Sequence, residues 1–264
     1  MKRISLLLIN TLTLIFALVM NSLQGSEVFN GTTVGEVSAK YETLFTPAGY
    51  AFAIWGIIYL LLILFVTYQW FVWFKRKEDR ELKQISWWFA VGNLANGLWV
   101  VAWLNEQMGL SVLLILILLF SLIQLTIRLR LEIWDAPLRI IAFVWWPVCI
   151  YLGWVIVATV ANISVFLVSI GWQGGFLQEQ VWTIIMIVAA TTIYLLLIKT
   201  RNMREAAVVG IWALVAIAVK QWQLNIEIVI AALTASAILF VTVAVHGFRN
   251  RKTSPFEKLK RGEV

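Results

Sequence analysis

The chain has 264 residues, of which 61% are hydrophobic and 13% charged, and its formal net charge is +7. Soluble domains contain about 45–50% apolar residues, so this composition excludes an ordinary soluble domain and favours a bundle of membrane-spanning helices. The positive charge does not indicate nucleic-acid binding, because the Lys and Arg residues are divided among short loops rather than gathered on one folded face.

The predicted fold is all-α, a polytopic transmembrane helical bundle of about eight spans. The apolar segments cover residues 4–22, 47–74, 86–104, 110–127, 138–162, 180–198, 205–220 and 226–248. The first segment has features of a signal peptide, but Asn10 and two threonines interrupt it, and we favour a retained helix. Pro147 should kink the fifth span, and the seventh span is short and marginal.

Basic residues lie almost entirely on one side of this predicted bundle. Of the 21 Lys and Arg residues, 19 fall at the termini or in alternate loops, and only Lys40 and Lys220 lie opposite. This positive-inside pattern is typical of an integral membrane protein, and it predicts that both termini are cytoplasmic. The basic N-terminus without a Ser- and Arg-rich leader favours a bacterial plasma membrane over an organelle membrane.

Residues suited to catalysis or metal binding are scarce. The single cysteine is Cys149 and the single histidine is His246, so neither a disulfide nor a zinc site is expected. No predicted span carries a carboxylate in its apolar middle, which argues against a proton relay. We interpret Glu132 and Asp135, in the loop before the fifth span, as solvated surface charges.

Tryptophan is unusually frequent, with 15 residues, and several fall at helix depth on the same face as polar residues. Spacings of three or four residues place each set on one side of its helix. The three sets are Phe52, Trp55 and Tyr59; Asn93, Asn96, Trp99 and Trp103; and Tyr151, Trp154, Ala158 and Asn162. Buried amides in lipid need partners, so these faces should turn toward one another inside the bundle.

The residues alone leave two interpretations of these faces open. One is tight interhelical packing, with the asparagines as hydrogen-bonding contacts. The other is a pocket, in which Gly56, Gly97, Gly153 and Ala158 leave room for a flat, largely apolar ligand held by ring stacking. Trp172 and other tryptophans near helix ends fit the interfacial belt of any membrane protein.

The same residues resemble the TspO/MBR family, the tryptophan-rich sensory proteins related to the mitochondrial translocator protein (peripheral benzodiazepine receptor). The matching positions are Tyr41, Leu44, Pro47, Phe52, Trp55 and Tyr59 around the second span, Asn96 and Trp99 in the third, and Tyr151, Leu152, Trp154, Val155, Ala158, Thr159 and Asn162 in the fifth. The fifth-span match is the most specific, because all of these fixed positions agree in order and spacing.

The resemblance covers Ile4–Asn162 and implies a TspO/MBR-like five-helix core at residues 1–162. An external loop at 163–179, a three-helix membrane extension at 180–248 and a basic cytoplasmic tail at 249–264 would follow it. The family's usual double proline is reduced here to Pro47, and spans six to eight are additional to the family core. Ligand identity is therefore the least transferable property.

By resemblance, the chain is expected to be a membrane receptor or sensor, not an enzyme, that binds a flat apolar ligand such as a porphyrin (haem or protoporphyrin) or a sterol-like molecule. No cofactor is required, and the expected partners are the lipid bilayer, the ligand and a second copy in a homodimer. The alternatives are a transporter of such a ligand and a light-dependent porphyrin-degrading enzyme. The residues implied to bind the ligand are Trp55, Tyr59, Asn96, Trp99, Tyr151, Trp154, Ala158 and Asn162.

Overall fold

The computed structural model describes residues 3–75, 85–172 and 174–262, and these ranges are helical with short connections, which confirms the predicted all-α fold. The long helices are α1 (Arg3–Ser22), α3 (Ile54–Phe74), α4 (Trp88–Leu104), α5 (Met108–Arg128), α7 (Trp146–Ser169), α8 (Glu179–Arg201), α9 (Arg204–Gln221) and α10 (Ile226–Arg249). Shorter helices are α2 (Val34–Lys40), α6 (Leu138–Ile140) and α11 (Pro255–Lys260). Six of the described helical segments are long and apolar enough to cross a membrane. The basic loop predicted after the second span lies outside the described residues, apart from Lys75.

Contacts between loops show that successive long helices alternate in direction. At one end, Lys40 of the first loop pairs with Glu106 of the α4–α5 turn, with 2.6 Å between Nζ and Oε1. At the other end, the side-chain amide of Asn202 donates to the Glu132 carbonyl oxygen at 2.6 Å. We call the end that carries Lys40 and Glu106 the outer end. We call the opposite end, which comprises residues 129–137, 202–203 and 250–262, the basic end.

Helix α7 is shared by two groups of helices. It packs against α3 and α5 on one side and against α8 and α9 on the other. Of the most apolar stretch within Leu138–Ser169, 78% is buried inside the protein, against 44% or less in the other candidate spans. Most of α7 therefore faces protein rather than lipid, so it supplies side chains to sites on both of its sides.

The chain enters α7 through a π-turn at Ile141–Trp145, which ends two residues before Pro147. Proline has no backbone N–H, so the Phe143 carbonyl loses its usual α-helical donor. Single π-turns are typical of places where the helical hydrogen-bond ladder is interrupted. The irregularity predicted at Pro147 thus takes the form of a wider turn just ahead of the proline.

Helix α7 is also longer than predicted. The fifth span was expected to end at Asn162, but the helix continues to Ser169, so the first part of the predicted external loop 163–179 is helical. Val165 and its apolar neighbours extend the span by two turns, and Gly171, with a φ of 75°, then reverses the chain.

The first loop is fastened to both helix groups at the outer end. Its α2 helix begins with a capping box, in which Thr33 and Glu36 bond reciprocally. Beyond α2, the Leu44 amide donates to Glu179 of α8 at 3.2 Å, and the Leu44 carbonyl accepts from the Gln221 side chain of α9 at 3.2 Å. The C-terminal helices therefore hold the loop in place over the outer end.

The C-terminal tail, which was predicted as a basic segment after the last span, folds back onto the bundle. Ser254 caps α11 through the Glu257 amide, and Pro255 occupies its first turn. Lys258 is buried and pairs with Asp135 of the loop before α6. This ion pair attaches the tail to the basic end.

The prediction that Glu132 is a solvated surface charge is wrong. Its side chain is 9% exposed, because the start of α9 and the folded tail cover the loop that carries it. Burial, followed by repulsion from Glu205, raises the pKa of Glu132 to about 8, although Arg204 acts in the opposite direction. The folded protein therefore favours the protonated form of Glu132.

We expect the Glu132→Gln variant to remove much of the pH dependence of unfolding. The folded pKa of Glu132 lies at about 8, above the reference value of 4.5, so its contribution to stability is complete below about pH 4.5 and is lost as the pH rises through 8. Thermal unfolding in detergent at pH 5 and pH 8.5 measures this loss. Glu27→Gln, at an exposed site, is the control. Equal losses in the wild type and in Glu132→Gln would contradict the assignment.

Candidate ligand-binding site

The predicted aromatic faces meet around Trp55. Trp55 and Tyr59, four residues apart on α3, stack with their ring centroids 5.4 Å apart. The Trp55 ring also lies 6.2 Å from Trp99 of α4, 5.9 Å from Tyr151 and 6.3 Å from Trp154 of α7. The structure thus brings these predicted residues together between α3, α4 and α7.

Asn96 is the polar centre of this aromatic cluster and is 1% exposed. Its side-chain oxygen accepts from the Tyr59 hydroxyl at 3.2 Å and from the Asn21 amide at 3.0 Å. Its nitrogen donates to the Tyr151 hydroxyl at 2.6 Å. The sequence analysis missed Asn21, which brings α1 into the network.

Asn162 connects the cluster to α5 and is also 1% exposed. Its oxygen accepts from the Trp99 indole N–H at 2.7 Å, and its nitrogen donates to the Ser111 hydroxyl at 2.8 Å. The two predicted amides therefore face the interior of the bundle. Their hydrogen bonds fix the orientation of the neighbouring rings.

The space inside the aromatic cluster is small. A void of about 30 Å³ lies beside Phe52, Trp154 and Ala158. One water molecule occupies a share of about 30 Å³ in the liquid, so the void is far below the size of a porphyrin or sterol. The Trp154 indole N–H is buried there without a hydrogen-bond partner among the described residues. In this conformation the cluster is packed, and a ligand role for its residues stays a prediction.

The glycines expected near the aromatic cluster differ in the space around their Cα atoms. A Cβ on Gly97 would lie 2.5 Å from the Phe16 ring of α1, and a Cβ on Gly153 would lie 2.7 Å from the Ala206 carbonyl oxygen of α9. Gly97 and Gly153 are thus points of close helix approach, as the packing interpretation predicts, and they leave no room for a ligand. Gly56 has open space around it.

A much larger cavity lies at the outer end, next to the first loop. Its volume is about 650 Å³. It opens between the first loop, the last two turns of α7, the following loop and the first turns of α8. The lining residues are Glu42, Thr43, Leu44, Phe45, Ile163, Ser164, Leu167, Val168, Trp172, Gly174, Glu179, Trp182, Thr183 and Met186.

Two tryptophans give this outer cavity an aromatic wall. The rings of Trp172 and Trp182 lie 5.6 Å apart at an interplanar angle of 58°. The Trp182 indole N–H donates to the Gly174 carbonyl at 2.7 Å, which fixes that ring against the loop. The charged residues of the wall are both acidic, Glu42 and Glu179. The cavity therefore suits an apolar ring system whose edge carries no carboxylate.

A family model that describes TSPO-like proteins matches residues 7–245. The chain belongs to the TSPO-like family. This membership confirms the resemblance inferred from the residues, and together with the apolar helices it makes the chain an integral multi-pass membrane protein. The match includes α8, α9 and most of α10, as well as the first five spans. No curated protein and no solved structure matched the chain.

Sequence reasoning missed the outer cavity of this TSPO-like protein. Trp172 was assigned to the interfacial belt, and Trp182 was not selected. The available signal was a pair of tryptophans that flank a loop containing Gly171, Gly174 and Gly175, all with positive φ. That signal does not identify a cavity, because the opposite wall comes from the first loop, more than 100 residues away in the chain.

Proposed function

We propose that this TSPO-like protein is a membrane receptor or sensor that binds a flat apolar ligand of the porphyrin or sterol type in the outer cavity, without chemical turnover. The cavity volume of about 650 Å³ carries this proposal. Sites for small ligands typically measure about 300–1,000 Å³ and are mostly apolar with a few polar groups. The aromatic cluster, with a void of about 30 Å³, has no such capacity.

The walls of the outer cavity support a particular ligand chemistry. Trp172 and Trp182 offer ring faces for stacking, and Phe45 and Leu167 add apolar surface. Glu42 and Glu179 disfavour a ligand edge that carries a carboxylate, because like charges repel. A neutral flat ligand is therefore the better fit, and protoporphyrin dimethyl ester is a suitable probe.

We expect the Ser164→Phe variant to bind protoporphyrin dimethyl ester at least about tenfold more weakly than the wild type, a loss of about 1.4 kcal/mol. Ser164 is 8% exposed and lines the outer cavity, so a phenyl ring at this position takes up ligand space. Absorbance titration of the porphyrin with protein in lipid nanodiscs measures the dissociation constant. The free dicarboxylic acid should bind more weakly than the ester.

The matched control is Ala158→Phe, which adds a ring on the same helix but beside the aromatic cluster. It should leave the affinity for the ester unchanged, and an unfolding midpoint for each variant verifies that both fold. If Ala158→Phe weakens binding and Ser164→Phe does not, the ligand lies in the cluster and the outer-cavity assignment is wrong. If the wild type does not bind the ester, the proposed function is wrong.

A further inference from the structure

A second cavity, which is polar, lies at the basic end, opposite the outer cavity. Its volume is about 190 Å³, and it is enclosed by the loop before α6, the start of α9, the end of α10 and the folded tail. The side chains that matter to its chemistry are Glu132, Trp145, Arg204, Glu205, His246 and Asn250. Nothing in the proposed function uses this cavity.

Four buried side-chain atoms of this basic-end cavity lack hydrogen-bond partners among the described residues. Two are acceptors, one oxygen each of Glu132 and Glu205, and two are donors, the Arg204 Nε–H and the Trp145 indole N–H. Glu132 is 9% exposed and Trp145 is 2% exposed. Buried polar groups are normally hydrogen-bonded, so four unpartnered ones around one cavity indicate an occupant that both donates and accepts.

Ionisation of both acids at the basic-end cavity would leave its charges unbalanced. Glu132 and Glu205 would then face one cation, Arg204, while Asp135 is already paired with Lys258. The raised pKa of Glu132 has the same origin, since its carboxylate is buried near a second carboxylate without a cation of its own. One additional positive charge with several N–H donors would satisfy both acids.

We propose that the basic-end cavity binds the primary ammonium group of a small polar molecule, whose N–H groups donate to Glu132 and Glu205. An oxygen on the same molecule accepts from Arg204 and Trp145. The 2-aminoethoxy unit has this arrangement, with an ammonium group and an oxygen two carbons apart. It occurs in free ethanolamine and in the headgroup of phosphatidylethanolamine, and the volume accommodates either headgroup-sized molecule.

The test compares ethanolamine with choline, whose quaternary ammonium has no N–H groups. The readout is the unfolding temperature of the purified full chain in detergent. We expect ethanolamine to raise this temperature in a saturable manner and choline to leave it unchanged. A parallel comparison in vesicles of phosphatidylethanolamine and of phosphatidylcholine tests the lipid source. Stabilisation by free ethanolamine alone assigns a soluble ligand, and stabilisation by the ethanolamine lipid assigns a headgroup; both support the ammonium site.

The Glu205→Gln variant should bind ethanolamine at least about tenfold more weakly, because it removes one of the two charged acceptors. Glu227→Gln, at the outer end of α10, is the matched control and should bind as the wild type does. Equal effects of ethanolamine and choline on the wild type, or no effect of either amine or lipid, would overturn the proposal whether or not the variants fold. Unchanged affinity in Glu205→Gln would also overturn it.

Discussion

The Asn96→Leu variant is expected to lose about 3 kcal/mol of stability, because each buried polar group left without a partner costs about 1–3 kcal/mol. Asn96 is hydrogen-bonded to Asn21, Tyr59 and Tyr151. In the described part of the chain, Asn96 thereby links the Tyr59 hydroxyl of α3 to the Tyr151 hydroxyl of α7. Leucine has the same number of side-chain heavy atoms and the same branching at Cγ, but it can neither donate nor accept. Denaturation by SDS in mixed micelles, followed by circular dichroism, measures the change.

Asn105→Leu, directly after the same helix, is the matched control for Asn96→Leu. Asn105 lies in the exposed turn after α4, and its side chain donates to the Val101 carbonyl of its own helix at 2.8 Å. We expect its stability to change by about 0.5 kcal/mol or less, as is usual for surface sites. If both leucine variants have similar midpoints, Asn96 does not organise the cluster as its hydrogen bonds indicate.

The Gly153→Ala variant is expected to separate α7 from α9 and to destabilise the bundle by about 1–3 kcal/mol or more. A Cβ at this position would lie 2.7 Å from the Ala206 carbonyl oxygen and 2.8 Å from its Cα, so the obstacle is backbone. The Gly153 carbonyl also accepts from the Tyr194 hydroxyl of α8 at 2.7 Å, and a shift of α7 would strain this bond. The same micelle titration gives the midpoint.

Gly56→Ala is the control for Gly153→Ala and should have the opposite sign. A Cβ on Gly56 meets nothing within 4 Å, so alanine there adds only its better helix propensity, about 0.5–1 kcal/mol. Both substitutions replace a helical glycine with alanine, and they differ in what the new methyl group meets. Destabilisation of similar size in both would contradict the close approach of α7 and α9.

The aromatic cluster could be predicted from the sequence because it depends on residue spacings within single helices. Spacings of three or four residues put Asn96 and Trp99 on one face of α4, and Trp154 and Asn162 on one face of α7. Buried amides need partners, which turns those faces inward. The residues left packing and a pocket open, because side-chain spacing does not determine how closely the backbones approach, and the described conformation fits close packing.

The seventh span, α9, was predicted from its short apolar stretch to be a marginal membrane span. The structure explains this, because most of the helix contacts protein rather than lipid. Its small residues Ala206, Gly210 and Ala213 are buried against α7, α8 and α10. A helix of this composition gains its stability from close packing, so hydropathy understates it. The same helix contributes Arg204 and Glu205 to the basic end, where the burial of Glu132 depends on segments distant in sequence.

The outer cavity could not be predicted, because its walls come together only through tertiary contacts. Leu44 and Glu179 are 135 residues apart and meet through a single hydrogen bond of 3.2 Å. Loop positions of this kind follow no helical period. The proposed function places the predicted ligand chemistry at this second location, whereas the predicted ligand-binding residues lie in the packed cluster.

The position of a bound ligand tests the account most directly. A density map of the protein in nanodiscs with protoporphyrin dimethyl ester should place the macrocycle in the outer cavity, against Trp172 and Trp182. The void beside Trp154 should remain closed. Density for the macrocycle between Trp55, Trp99 and Trp154, with the outer cavity empty, would contradict the account.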